Sequence, residues 1–139
     1  MNTKIVVSSN PADFDIKVIH NVLTHSYWAN GRSMDTVISS IKNSLCFALF
    51  SNEAQVGFAR VISDYSTVSY ICDVFVLQAH QNQGIGKILM KTILENEKLK
   101  TTKFFLLTKD AHDFYSYFGF QRNTEMSARF MNLKKETQS

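Results

Sequence analysis

The stretch VFVLQAHQNQGIGKILM, residues 74–90, constrains the fold more than any other part of the chain. It joins the end of a strand-like apolar run (VSYICDVFVL, 68–77) to an amphipathic segment. There Ile85, Ile88, Leu89, Ile93, Leu94 and Leu99 recur at helical spacing, opposite Lys87, Lys91, Glu95 and Lys98. A strand that feeds a helix through a turn holding Gly84 and Gly86 predicts a β–turn–α unit. The backbone N–H groups at such a helix start lack intrahelical acceptors and face outward together, so they favour an anion. Glycine lets the backbone approach that anion and take positive φ. A dinucleotide fingerprint fails because Leu89 stands at its third glycine. A Walker A loop fails because Gln81 precedes the Gly86-Lys87 pair where glycine is needed. A purely structural turn accounts for the glycines but not for the flanking pattern Gln81-Asn82-Gln83-Gly84-Ile85-Gly86.

The remaining segments read around this unit. KIVVSS (4–9) predicts a strand, broken at Asn10-Pro11. A helix follows over 13–28, with Ile16, Ile19, Val22 and Leu23 on one face and Asp13 or Asp15 as cap. After the turn ANGRS, Ser33 and Asp35 open a second helix bearing Val37, Ile38 and Ile41. LCFALFS (45–51) and QVGFARVIS (55–63) form a hairpin about NEA, and DYST turns the chain into the run 68–77, read as the central strand. The helix from Ile85 is read to Leu99, followed by a strand KFFLLT (103–108) and a short helix over 111–119 ended by Gly119. Residues 120–134 read as a last strand or hairpin, and the polar tail KETQS as frayed. The order is β-α-α-β-β-β-α-β-α-β. A strand–helix–strand crossover of this length joins parallel strands, so the fold class is α/β (α+β) with a mixed, mostly antiparallel sheet flanked by helices.

The length of 139 residues suits a single domain spanning 1–139. With 45% apolar and 19% charged residues the composition is that of a globular chain with a core. A net charge of +3 is too small and dispersed to argue for nucleic acid, though it favours an anionic ligand. Cys46 and Cys72 lie in apolar runs and read as buried thiols; without C-x-x-C spacing they carry no zinc or redox signature, and no metal is expected. The N-terminal stretch lacks the pattern of a signal peptide, and no run reaches 18 apolar residues, so the expectation is a soluble cytoplasmic protein with no membrane partner.

Residues 74–90 resemble motif A of the GNAT superfamily of acetyl-CoA-dependent N-acetyltransferases, V-x-P-x-x-(Q/R)-x-x-G-x-(G/A), with Gln78 in place of the usual proline. TKDAHDFYSYFGF (108–120) is similar to the family's downstream motif N-x-x-A-x-x-(L/F)-Y-x-x-x-G-F: Ala111, Phe114, Tyr115, Gly119 and Phe120 fall in register, and Thr108 stands where Asn is common. The resemblance covers residues 45–122. It implies a GNAT fold in which the parallel strand pair splays into a cleft for CoA, and acetyl-CoA as cosubstrate. It places CoA contacts at Gln81, Asn82, Gln83, Gly84, Ile85, Gly86 and Lys87, at the backbone of Phe75 and Val76, and at Thr108 and His112. It places the acceptor near Tyr27, Trp28 and Arg32. Homodimers are common in the family.

The implied reaction moves an acetyl group from a thioester to an amine by direct attack. The amine must be neutral, although an alkylammonium has a pKa near ~10.4. The developing oxyanion needs a donor, implied to be a backbone N–H near Val76, and the departing thiolate needs a proton. A phenol is protonated at neutral pH and serves as that acid, which points to Tyr115; the competing reading is a core tyrosine beside Phe114, Tyr117 and Phe118. Asp73 is the sole carboxylate in the strand 68–77, where a charge is costly unless paired or functional. Period-two alternation puts it on the face of Ile71 and Phe75, and it reads as base or amine-binding group, or as a structural acceptor. His112 is a second candidate base, and His80 a solvated or CoA-proximal residue. Two other readings stand beside the enzyme: a degenerate CoA- or acyl-CoA-binding sensor, and an interaction domain without CoA. The acceptor, a small molecule or a peptide amine, is not named by the sequence.

Overall fold

The apolar runs of the chain pair into one five-stranded sheet in the computed structural model, which describes residues 4–135. β1 (Ile5–Ser8) leads through a 3-10 turn at Pro11–Asp13 to α1 (Ile16–Thr24) and α2 (Met34–Lys42). β2 (Leu45–Ser51), β3 (Ala54–Ser63) and β4 (Val68–Val76) follow, then α3 (Ile85–Leu94), β5 (Lys103–Leu106), α4 (His112–Ser116) and α5 (Thr124–Arg129). The strands lie in the order β1-β2-β3-β4-β5, antiparallel except for the parallel pair β4–β5. The chain divides into two compact units, one through Leu106 and one from Leu107 onward.

Local chemistry explains most of the boundaries in the first unit. Asp15, rather than Asp13, caps α1 by accepting from the Val18 N–H, while Asp13 accepts from the Ser8 hydroxyl at 2.6 Å. Ser33 caps α2 through the Thr36 N–H. The β2–β3 hairpin closes on Asn52-Glu53, both at positive φ (50° and 69°), the geometry of a two-residue turn whose twist matches the strands. Period-two alternation then divides the sheet residues between two layers. Cys46, Ala48, Phe58 and Phe75 pack with Ile19 and Leu23 of α1 and Val37 and Ile41 of α2. Phe47, Leu49, Ala59 and Val61 point from β2 and β3 the other way. α3 contacts β2, β3 and β4, and buries Ile85, Leu89, Met90 and Ile93.

Three expectations need correction. The central strand is β3; β4 lies between β3 and β5. α3 ends at Leu94 because Asn96 takes over the backbone: its side chain accepts from the Lys98 N–H at 2.9 Å and its carbonyl from the Leu99 N–H at 3.0 Å. Leu99 is nevertheless fully buried. Residues 120–134 form no strand. Asn123 caps α5 through the Met126 N–H, and a Glu125–Arg129 pair spans one turn, so local helix signals outweigh a weak alternation. Of the tail read as frayed, residues 136–139 lie outside the described residues.

Leu89 is 0% exposed on the buried face of α3. Leu89→Ala is expected to cost roughly 2–5 kcal/mol of unfolding free energy, seen as a lower urea midpoint at unchanged m. A loss below about 1 kcal/mol would contradict this packing.

Candidate active site

β4 is paired on both sides only in its first half. The parallel ladder to β5 runs from Val68↔Lys103 to Ile71↔Leu106 and stops, whereas β4 continues to Val76. On the β3 side the register slips: Cys72 pairs with Arg60 and Phe75 with Phe58, so Asp73 and Val74 together face Ala59. This is a one-residue bulge, with Asp73 at φ 52°. It corrects the simple alternation. Ile71 pairs with Val61 and Phe75 with Phe58, an odd number of residues apart on β3, so Ile71 and Phe75 face opposite layers. Past the bulge, Gly57 pairs with Val76. A Cβ at Gly57 would lie 3.3 Å from the Phe75 carbonyl oxygen and 3.6 Å from Leu49, so glycine lets the end of β4 lie close. The Phe75 side chain is buried against Phe58, which leaves only its backbone for a ligand.

The glycine turn follows directly. A 3-10 turn at Gln78–His80 ends at Gln81, whose side-chain amide donates to the Val76 carbonyl at 3.0 Å and ties the turn to the strand end. Asn82 and Gly84 both take positive φ (63° and 80°), and Gln81, Asn82, Gln83 and Gly84 are exposed. Gly84 is the N-cap of α3 and gives it no side-chain cap, unlike Asp15 and Ser33 on α1 and α2. The first N–H groups of α3, at Ile85, Gly86 and Lys87, therefore have no capping side chain at the strand's end. His80 is half-buried beside the turn.

Asp73 does not stand alone. One carboxylate oxygen accepts from Trp28 Nε1 at 3.0 Å; the other accepts from Arg32 and from Arg60 Nε, both at 2.8 Å. Arg60 also donates to the Ser44 hydroxyl at 3.2 Å. Burial, the largest single effect, would lower the Arg60 pKa; the hydrogen bond to Asp73 and the charge interactions with Cys72, Asp73 and Cys46 together raise it. Three donors already bind the carboxylate and Asp73 is only 4% exposed, which leaves a single lone-pair site, on the oxygen facing Trp28, for any further donor. Tyr27 and Trp28 meet edge to face at 5.2 Å and stay largely exposed, so the α1–α2 connection presents an aromatic surface that Asp73 holds from below. Arg60 was missed from the sequence, although it is the sole charge in QVGFARVIS as Asp73 is in β4; Arg32, expected near the acceptor, is instead found paired with Asp73.

The second unit holds the other motif. The Thr108 hydroxyl accepts from the Ala111 N–H at 3.0 Å and closes the turn into α4. His112 begins the helix, and Tyr115 is half-buried against the rings of Phe114 and Phe120. Gly119 at φ 95° ends this helical segment, with the Phe120 N–H returning to the Tyr115 carbonyl at 3.3 Å. Elsewhere, a groove of about 530 Å³ lies between α2 and β3, lined by Thr36, Ser39, Ser40, Asn43, Ser44 and Arg60. It is remote in sequence from the glycine turn, and Ser40, Asn43 and Ser44 spend their donors on carbonyls of α2 itself. Among the described residues no three His, Cys, Asp or Glu are grouped to hold a metal, and no helix is long and apolar enough to cross a membrane.

A bulged strand, half-unpaired toward its parallel neighbour, thus runs into a glycine turn whose helix start has no side-chain cap. The family profile of the acetyltransferase (GNAT) domain matches residues 42–122, and the chain belongs to that family. It is similar to a GNAT-family protein from Xanthomonas campestris pv. campestris, with 36% identity, a TM-score of 0.90, and coverage of 95% of this chain and 94% of that one. An inferred acetyltransferase of Gibberella zeae is 27% identical over 129 residues, covering 76% of this chain and 72% of its own. A GNAT acetyltransferase from Elizabethkingia anophelis, solved with acetyl-CoA bound, shares the fold at 19% identity and a TM-score of 0.61, covering 83% of this chain and 72% of that one. By family, the chain is an acyltransferase enzyme.

Both cysteines are free thiols, flanking Arg60 across the sheet. Burial pushes Cys46 up to about 12 and Cys72 up to about 11, with Arg60 pulling the other way. The folded state thus keeps protons that the unfolded chain releases. The resulting stabilisation is full below the ordinary thiol range and is lost as pH rises toward 11 and 12. At pH 8 the folded protein is expected to react with an aromatic disulfide reagent at least ~100-fold more slowly than the urea-unfolded chain. Fast reaction of the folded protein would mark a thiol as reactive.

Proposed function

We propose that this chain, as one domain, acetylates a primary amine by direct attack on acetyl-CoA, with no acyl-enzyme. The observation that carries the reading is the junction of β4 and α3: a strand end unpaired by β5, followed by a turn with two left-handed residues and an uncapped helix start. Backbone N–H groups in that arrangement suit a pyrophosphate, and the exposed Lys87 adds charge. The E. anophelis protein's bound acetyl-CoA supports the same ligand here. Acetyl-CoA supplies an activated thioester. The turn 81–87 holds its phosphates, Thr108 and His112 contact it from the second motif, and a backbone N–H of Phe75 or Val76 receives the developing oxyanion.

The acceptor amine, small molecule or peptide, enters past Tyr27 and Trp28 and reacts as the neutral base. Its nitrogen bonds to the acetyl carbon, the carbon–sulfur bond breaks, and the amine's surplus proton leaves to solvent. Tyr115 supplies a proton to the sulfur and regains one from solvent, so the products are the amide and free CoA thiol. Thiol release from acetyl-CoA over a panel of amines separates this enzyme from a domain that binds CoA without turnover.

Gly86→Asp tests the turn. A carboxylate in the first turn of α3 suits the helix dipole, so the fold should persist while the phosphates are repelled. Acetyl-CoA binding by calorimetry is expected to be lost, and unchanged affinity would remove the turn from the site. For Tyr115→Phe, kcat is expected to fall ~10²- to 10⁴-fold with acetyl-CoA affinity near wild type. A kcat within about twofold of wild type, where chemistry limits the rate, would eliminate Tyr115 as the acid.

A further inference from the structure

Asp73 stands at the one residue of β4 where the chain takes positive φ, and it is buried. A non-glycine residue in that conformation persists only when its surroundings over-determine it. Here they do. The carboxylate is gripped by the indole of Trp28 and the guanidinium of Arg32 from the α1–α2 connection, and by Arg60 from β3. The connection is itself anchored, since the Arg32 carbonyl bonds His20 of α1 at 3.0 Å and the Gly31 N–H bonds the Thr24 carbonyl at 2.9 Å. One carboxylate therefore fastens three separate pieces of chain at the point where β4 changes from paired to unpaired.

We propose that Asp73 is a positioning residue: it locks the β4 bulge to the α1–α2 connection, so that the Phe75–Val76 backbone and the Tyr27–Trp28 surface are held in one fixed relation. The inference rests on the reading that the thioester lies beside the far end of β4. It assigns Asp73 no proton transfer. Its loss would loosen the geometry between the acetyl group and the amine, and a misplacement of about 1 Å costs on the order of 10²-fold in rate. Trp28 is the chain's single tryptophan, so its fluorescence reports this joint alone.

The test is Asp73→Asn, with Arg32→Gln as a milder second variant because Arg32 is the more exposed of the two guanidiniums. Folding is checked by circular dichroism, and acetyl-CoA affinity, kcat, acceptor KM and Trp28 emission are measured from pH 7 to 10. Asp73→Asn is expected to shift the emission, lower kcat on the order of 10²-fold and leave acetyl-CoA affinity within about threefold, the loss being the same at every pH. Arg32→Gln is expected to shift emission and rate in the same directions by less, and it carries the test if Asp73→Asn does not fold. A rate loss that vanishes at high pH would make Asp73 a base and overturn the proposal. So would a folded variant with wild-type kcat, or a rate loss with unchanged emission. A wild type that binds acetyl-CoA but acetylates no amine overturns the functional reading instead; the emission arm needs no turnover and still reports whether Asp73 holds the joint.

Discussion

The structure turns on one buried carboxylate. Taking a charge out of water costs several kcal/mol, and it is tolerated only where partners of good geometry replace the solvent. Asp73 has three: two arginines at 2.8 Å and an indole N–H at 3.0 Å. Removing one partner of such a cluster is strongly destabilising, because the remaining charges stay buried. The cluster therefore does more than fill space. It forces the α1–α2 connection, β3 and β4 to meet in one arrangement, which apolar packing of Ile19, Leu23, Val37 and Phe58 could satisfy in several closely related ways.

That constraint explains why β4 changes character midway. Up to Ile71 it is an ordinary interior strand, paired to β3 and β5 and stacked across the parallel pair through Tyr70 and Phe105 at 5.0 Å. The bulge at Asp73–Val74 turns the following backbone, and the ladder to β5 has already ended. Within the sheet the rest of β4 pairs with β3 alone, closely enough that a Cβ at position 57 would crowd the Phe75 carbonyl oxygen at 3.3 Å. An interior strand with one free edge offers peptide groups to a ligand while its side chains stay in the core, as Phe75 does.

How much of this was legible in the sequence depends on how local the cause is. The β–turn–α unit was legible because strand, glycines and amphipathic helix are contiguous, and the caps were legible because Asp15 and Ser33 act within three residues. The bulge was not. Strict alternation carried Ile71, Asp73 and Phe75 to one face, and only pairing with β3 reveals the extra residue. The partners of Asp73 lie 45, 41 and 13 residues away in sequence. A signal for one of them existed, since two apolar strands each carrying a lone opposite charge are a candidate pair, and Arg60 and Asp73 are such a pair. Residues 120–134, read as a last strand or hairpin, differ for another reason: Asn123 is a helix cap of the same local kind, and it starts α5 there.

The same local logic shows where the chain gives up stability. α1 and α2 each carry a side-chain cap, worth about 1 kcal/mol; α3 has none. Asn82 adds a left-handed residue beside it. Yet α3 buries Ile85, Leu89, Met90 and Ile93 to 3% exposure or less, and each such side chain is worth roughly 1.5–3 kcal/mol. The buried face exceeds the missing cap several-fold. A helix held that firmly by its side chains can leave its N-terminus without a side-chain cap, so the glycine turn before it is not needed to hold the helix together.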